Sequence, residues 1–162
     1  CLLSRGLGDV YKRQAYGKLL LVGSGQLKED LKNLIKELGL SDTIAIQPET
    51  NDIGSLLSKA HALIISSDRE GSPKVLYESL YCKVPVLATD CGNISEVLPK
   101  TSVADNNDES FKILLKKWVP EVDKLSSIQR DCFNRVGSNN LLSIQTGKVN
   151  MKYQEFLSMA SK

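Results

Sequence analysis

Ala62-Leu63-Ile64-Ile65-Ser66-Ser67-Asp68-Arg69-Glu70-Gly71-Ser72-Pro73-Lys74-Val75-Leu76-Tyr77-Glu78 decides the fold. The apolar run over 62–66 reads as a buried strand, and the polar stretch after it as a loop. Ser72 is placed to cap a helix running through Cys82. Pro73 would be its first helical residue, where a missing N–H is harmless. A second apolar run over 84–88 follows at once. Strand, helix and strand in such short order call for a parallel pair with a crossover helix.

The same alternation extends in both directions. Residues 18–22 form a short apolar run ending in Gly23-Ser24-Gly25, a strand and turn. From Gln26 to Leu38, apolar residues at Leu27, Leu31, Leu34, Ile35 and Leu38 give a one-faced helix, with Gly39 as its stop. Residues 43–46 make another strand, closed by Gln47-Pro48. Asn51 or Asp52 can cap a short helix running to Ala60. Downstream, Asn93 and Glu96 have capping-box spacing, and Val103 begins a fifth strand. Asp108 caps a helix carrying Phe111, Leu114, Leu115 and Trp118. From Val122 the chain reads as helices only, with a break at 137–140. The fold class is therefore α/β: one Rossmann-like parallel sheet with helices on both faces and a helical C-terminal tail.

At 162 residues the chain is long enough for one domain with its own core. No apolar run approaches the roughly 18 residues of a membrane span, and no secretory signal pattern is present. Residues 1–14 resemble a translated sequencing adaptor and are set apart as a non-native tail, leaving 15–162 as the domain. Without Arg5, Lys12, Arg13 and Asp9, the 21 basic and 19 acidic side chains become eighteen of each. A neutral domain gives no reason to expect nucleic acid as a partner. Cys82, Cys91 and Cys132 lack metal-ligand spacing. They read as reduced packing residues of a cytoplasmic protein, with no metal site.

Ligands of such sheets collect outside the carboxyl ends of the strands. Gly23-Ser24-Gly25 lacks the third glycine of a dinucleotide fingerprint, since Lys28 stands there, and it reads first as a tight turn. The loop leading to Pro73 says more. The backbone N–H groups of Lys74 and Val75 would face the loop at the positive end of the helix dipole, a ready anion site. Glu78 lies one turn beyond Lys74 on the same face, where a ribose would offer two hydroxyls. Glu70 lies on the strand exit. Acceptor, anion cradle and acceptor in a row match the hydroxyls, diphosphate and ribose of a nucleoside diphosphate sugar. The plainer reading pairs Glu70 with Arg69 and Glu78 with Lys74 as surface ion pairs.

The paired glutamates, with seven residues between them, resemble the mark of the retaining GT-B glycosyltransferases of family 4. Leu20-Leu21-Val22-Gly23-Ser24-Gly25 is similar to that family's strand and turn. Lys83-Val84-Pro85-Val86-Leu87-Ala88-Thr89-Asp90-Cys91-Gly92-Asn93-Ile94-Ser95-Glu96 is similar to its segment after the second glutamate. The resemblance covers about Leu19 to Leu98 and implies the C-terminal, donor-binding half of a GT-B enzyme. Glu70 is then the catalytic-site glutamate at the donor sugar, and Glu78 holds the ribose. Amides around Gly71, Ser72, Lys74 and Val75 hold the diphosphate, Gly23 lies in the first turn, and Gln47 to Asn51 flank the base. The implied donor is a UDP- or GDP-sugar, with no metal or other cofactor. The implied acceptor is a glycan or lipid-linked glycan, bound by a preceding domain absent from this chain. The fragment is therefore expected to lack turnover, and peripheral membrane association of the parent stays open.

The chain departs from the family at Pro73, Lys83 and Asn93, where glycines are usual, and at Pro48. Two other readings keep the fold: a nucleotide-sugar epimerase, and a non-catalytic nucleotide-binding module.

Overall fold

Parallel strands cannot be joined by a tight hairpin, so the connections between them decide the layering. The computed structural model describes residues 2–4 and 17–138. In these, β1 (Leu2–Ser4) and β2 (Lys18–Val22) precede α1 (Lys28–Glu37) and β3 (Ile44–Gln47). Then come α2 (Ile53–Leu57), β4 (Ala60–Ile65), α3 (Lys74–Tyr81), β5 (Val86–Thr89) and α4 (Ile94–Val97). The described chain closes with β6 (Val103–Ala104), α5 (Asp108–Trp118), α6 (Val122–Ile128) and α7 (Arg130–Ser138). The sheet order is β3-β2-β1-β4-β5-β6, the order of a doubly wound dinucleotide fold.

Five strands share one direction, and β1 opposes them, pairing antiparallel with both β2 and β4. Leu2–Ser4, within the stretch set apart as a non-native tail, thus supplies a central strand. The physical reason is the slot itself: without β1, the facing edges of β2 and β4 would lack ladder partners. Residues 5–14 lie outside the described residues.

The sheet is covered on both faces. Val86 and Ala88 of β5 pack with Leu76 and Leu80 of α3 and with Cys132, Phe133 and Val136 of α7. Leu87, pointing the other way, packs with Leu114, Trp118 and Leu125 beneath α5 and α6. The indole N–H of Trp118 donates to Thr101 O at 2.7 Å, satisfying its polar end.

Several expected boundaries move, each for a local reason. β4 starts at Ala60, which pairs with Ser4, so α2 stops at Leu57. β5 starts at Val86 because Pro85 has no N–H for the ladder, although its carbonyl accepts from Leu63 N at 2.9 Å. Asp52, not Asn51, caps α2, accepting from Ser55 N at 3.0 Å. Asn107 rather than Asp108 caps α5, accepting from Ser110 N at 2.9 Å. The expected break at 137–140 begins too early: Gly137 and Ser138 are helical, and 139–140 lie outside the described residues.

The largest difference concerns α1. Its stop is as expected: Gly39 has φ +66°, with Gly39 N bonded to Lys36 O and Leu40 N to Ile35 O in a Schellman turn. The apolar stripe is not core, however. Leu27, Leu31, Leu34 and Leu38 are exposed, and only Ile35 is half-buried, because no described element lies over the stripe. Cys82 is also exposed, against its reading as a packing residue, whereas Cys91 and Cys132 are buried.

Two side chains fasten the frame. Gln129, fully buried between α6 and α7, accepts from Val86 N at 2.9 Å and donates to Val86 O at 2.7 Å and Ser102 Oγ at 2.8 Å. Since β6 pairs only with Ala88 and Thr89, the amide of Gln129 stands in for a missing strand residue. Gln129→Leu should leave both Val86 groups unpaired and cost about 2–4 kcal/mol in urea denaturation. Lys83 is the one described non-glycine residue at positive φ, +60°, and it closes α3 through Lys83 N to Leu80 O and Val84 N to Ser79 O. Lys83→Gly should relieve the left-handed strain and raise stability by about 1 kcal/mol, read as a higher Tm.

Candidate functional site

Because the five like-directed strands end on one edge, the loops after β2, β3, β4, β5 and β6 gather there. β2 and β4 flank β1, so their ends stand about 10 Å apart, two strand spacings. From this point α1 leads toward β3 and α3 leads the opposite way, which makes the crevice a topological switch point.

On the β2 side, Gly23 has φ +153° and donates its N–H to Gln47 O at 3.0 Å. The hydroxyl of Ser24 hydrogen-bonds the Glu49 carboxylate. Gln47 is the last residue of β3 and is half-buried, while Asn51 is exposed just before the Asp52 cap. The structure thus joins Gly23 to Gln47. Among the described residues it gives no hydrogen bond from these residues or Asn51 to the loop after β4.

That loop leads from β4 into α3. The expected cap is off by one residue: Pro73, with φ −67° and ψ 118°, is the N-cap, and no side chain caps the helix. An extended ψ keeps Pro73 outside the helix, so the ring costs no helical hydrogen bond, and its carbonyl accepts from Leu76 N at 3.1 Å. Lys74 and Val75 then occupy the first two helical positions, whose N–H groups have no intrahelical acceptor. Ser72 and Gly71 are exposed beside them, and Pro73 is buried.

Glu70, Lys74 and Glu78 are all exposed. Among the described residues no ion pair joins Glu78 to Lys74 or Glu70 to Arg69; the pairs present are Lys32–Glu29, Lys112–Glu109 and Lys124–Glu121. Glu70 instead accepts from Ser67 Oγ at 3.0 Å, which aims its carboxylate from the loop. Glu78 makes its charge felt one turn on: partial desolvation, and then the Glu78 carboxylate, raise the Cys82 thiol above its usual range.

Four residues that the sequence did not single out as site residues hold this loop. Thr89 Oγ1 donates to Ser67 O at 2.7 Å, and Asn106 Nδ2 donates to Asp68 O at 2.8 Å. Asn93 N donates to Gly71 O at 3.1 Å. Gly92, at φ +58°, sits so close that a Cβ there would collide with the carbonyl oxygens of Glu70 and Gly71. The side chain of Asn93 does not form the expected capping box with Glu96. Its amide reaches Tyr77 Oη at 2.6 Å instead, leaving Asn93 Oδ1 buried without a partner. Such an atom costs about 1–3 kcal/mol. Spacing could have flagged only Gly92, as a glycine in a strand-to-helix turn.

A separate groove of about 320 Å³ between α1 and β3 is lined by Lys32, Ile35, Lys36, Ser41, Ile44 and Ile46.

Residues 9–129 match the sequence family described as Glycosyl transferases group 1. The chain belongs to this family. A glycosyltransferase of Methanocaldococcus jannaschii is 29% identical over 111 residues, covering 67% of this chain and 27% of the relative. The N-acetylgalactosamine-N,N'-diacetylbacillosaminyl-diphospho-undecaprenol 4-alpha-N-acetylgalactosaminyltransferase of Campylobacter jejuni is 37% identical over 73 residues, covering 45% and 20%. The chain therefore spans about a quarter or less of the length of these curated relatives. Among solved structures, Anabaena HepE in complex with UDP-glucose superposes with a TM-score of 0.71 at 19% identity, over 88% of this chain and 41% of that one. The fold is thus that of the GT-B glycosyltransferases. No described helix is long and apolar enough to cross a membrane.

Gly92→Ala tests how closely the two loops must approach. A forced left-handed alanine colliding with two carbonyls should lower stability by more than about 2 kcal/mol in chemical denaturation. A variant as stable as the wild type would mean that the loops part freely.

Proposed function

We propose that this chain is the donor-binding half of a retaining glycosyltransferase, taking a UDP- or GDP-sugar and serving transfer to a glycan or lipid-linked acceptor. One observation carries the reading: uncapped amides of Lys74 and Val75 open α3 between two exposed carboxylates, Glu70 and Glu78, that form no ion pair among the described residues. A diphosphate on those amides would be neutralised by the helix end and by the Lys74 ammonium. Glu78, one turn deeper, then accepts from the ribose hydroxyls, and Glu70 from hydroxyls of the sugar. Gly71 and Ser72 line the phosphate path, and Gly23, Gln47 and Asn51 border the base side.

HepE, of like fold, was solved with UDP-glucose, and the Campylobacter relative is named for an undecaprenol-linked acceptor. The first supports a nucleotide sugar here, and the second a lipid-linked acceptor. Departure of the nucleoside diphosphate builds negative charge on its outer phosphate. Preoriented amides and Lys74 stabilise that charge in the part a metal plays elsewhere. Retention of anomeric configuration and turnover itself belong in this reading to a larger whole, with the 162 residues alone binding donor without transferring it.

Calorimetry with UDP, GDP and ADP tests the proposal on this chain, with one of the three expected to bind. Glu78→Ala removes charge-assisted hydrogen bonds and should weaken that nucleotide by about 10- to 150-fold. Heats that stay at dilution level for all three at millimolar concentration would refute the donor site, and an unchanged affinity in the variant would refute the ribose role.

A further inference from the structure

We infer that Asn93 and Tyr77 form a positioning clamp that fixes the anion cradle of α3 against the loop after β4. Asn93 is bonded to both parts at once. Its backbone N–H donates to Gly71 O at 3.1 Å, two residues before Pro73, and its side-chain amide meets Tyr77 Oη at 2.6 Å, in the second half of the first α3 turn. Gly92, just before it, allows the close approach by having no Cβ. Asn93 is therefore a direct tie between the loop and the helix, made from a third element.

The side chain of Asn93 is poorly explained by packing alone. Whichever way its amide is turned, one end bonds Tyr77 and the other is buried without a partner among the described residues. A buried amide end without a partner costs stability, so the bond to Tyr77 comes at a cost. What the arrangement does achieve is geometric. Tyr77 lies between Val75, whose amide is free, and Glu78, so anchoring its phenol sets both the rotation and the depth of the helix start. Without that bond, α3 is still held by Leu76 and Leu80 in the core and by Val75 and Tyr77 packed against it, but the hydrogen-bonded link from its first turn to Asn93 is lost.

The clamp serves the donor site just proposed, and its test separates the two. Hydrogen exchange on the unliganded chain reads the clamp directly. In both Tyr77→Phe and Asn93→Ala, the amide of Leu76, bonded to Pro73 O, and the amide at position 93, bonded to Gly71 O, should exchange about tenfold faster, with core amides of β4 and β5 unchanged. The double variant should match either single variant, because both break the same bond. Nucleotide affinity should fall severalfold in the same pattern. Unchanged exchange at these amides, or additive effects in the double variant, would overturn the clamp. A wild-type chain that binds no nucleotide while its variants show faster exchange would refute the donor reading and keep the clamp.

Discussion

The contact of Gly92 and Asn93 with the carbonyls of Glu70 and Gly71 is the constraint on which the site depends. A backbone approach this close is open only to glycine at φ +58°, and it locks the loop after β5 onto the loop after β4. Thr89 and Asn106 add two further bonds from β5 and from beyond β6, so three consecutive elements hold one exposed loop. A loop held in this way presents its amides and carboxylates already aimed, which lowers the ordering cost of binding.

The support for that contact reaches back through the sheet. β5 carries Thr89 at its carboxyl end and Val86 at its amino end, and Val86 is held by the buried amide of Gln129. The helical tail therefore does more than cover a face: it supplies the hydrogen bonds that the two-residue β6 is too short to give. At the end of α3, the left-handed Lys83 turns the chain straight into β5 and accepts local strain to do so. Family membership, the doubly wound strand order and this braced loop all point to the same edge of the sheet.

The strands and helices from Lys18 to Trp118 were legible because short apolar runs and a 3.6-residue period are local signals. The placement of Lys74 and Val75 at the start of α3, between Glu70 and Glu78, was legible because strand, loop and helix follow one another without a gap. What escaped depended on distant partners. Ser72 looked like a cap, but the extended ψ of Pro73 moves the helix start by one residue. Asn93 and Glu96 had capping-box spacing, but Tyr77, sixteen residues away, takes the Asn93 amide. Gln129 offered no signal, since its partner is 43 positions distant. Periodicity gave α1 as a helix with an apolar stripe but not whether anything covers that stripe. The central place of β1 followed from a vacant slot in the sheet, which no local pattern reports.

Titrating the isotope-labelled chain with UDP, GDP and ADP while following its backbone amides by NMR is the most direct test. Donor binding at the braced loop predicts shifts concentrated at Gly71, Ser72, Lys74 and Val75, with smaller ones at Gly23 and Gln47. Shifts confined to the groove between α1 and β3, or amides of Lys74 and Val75 that do not move while nucleotide binds, would contradict it.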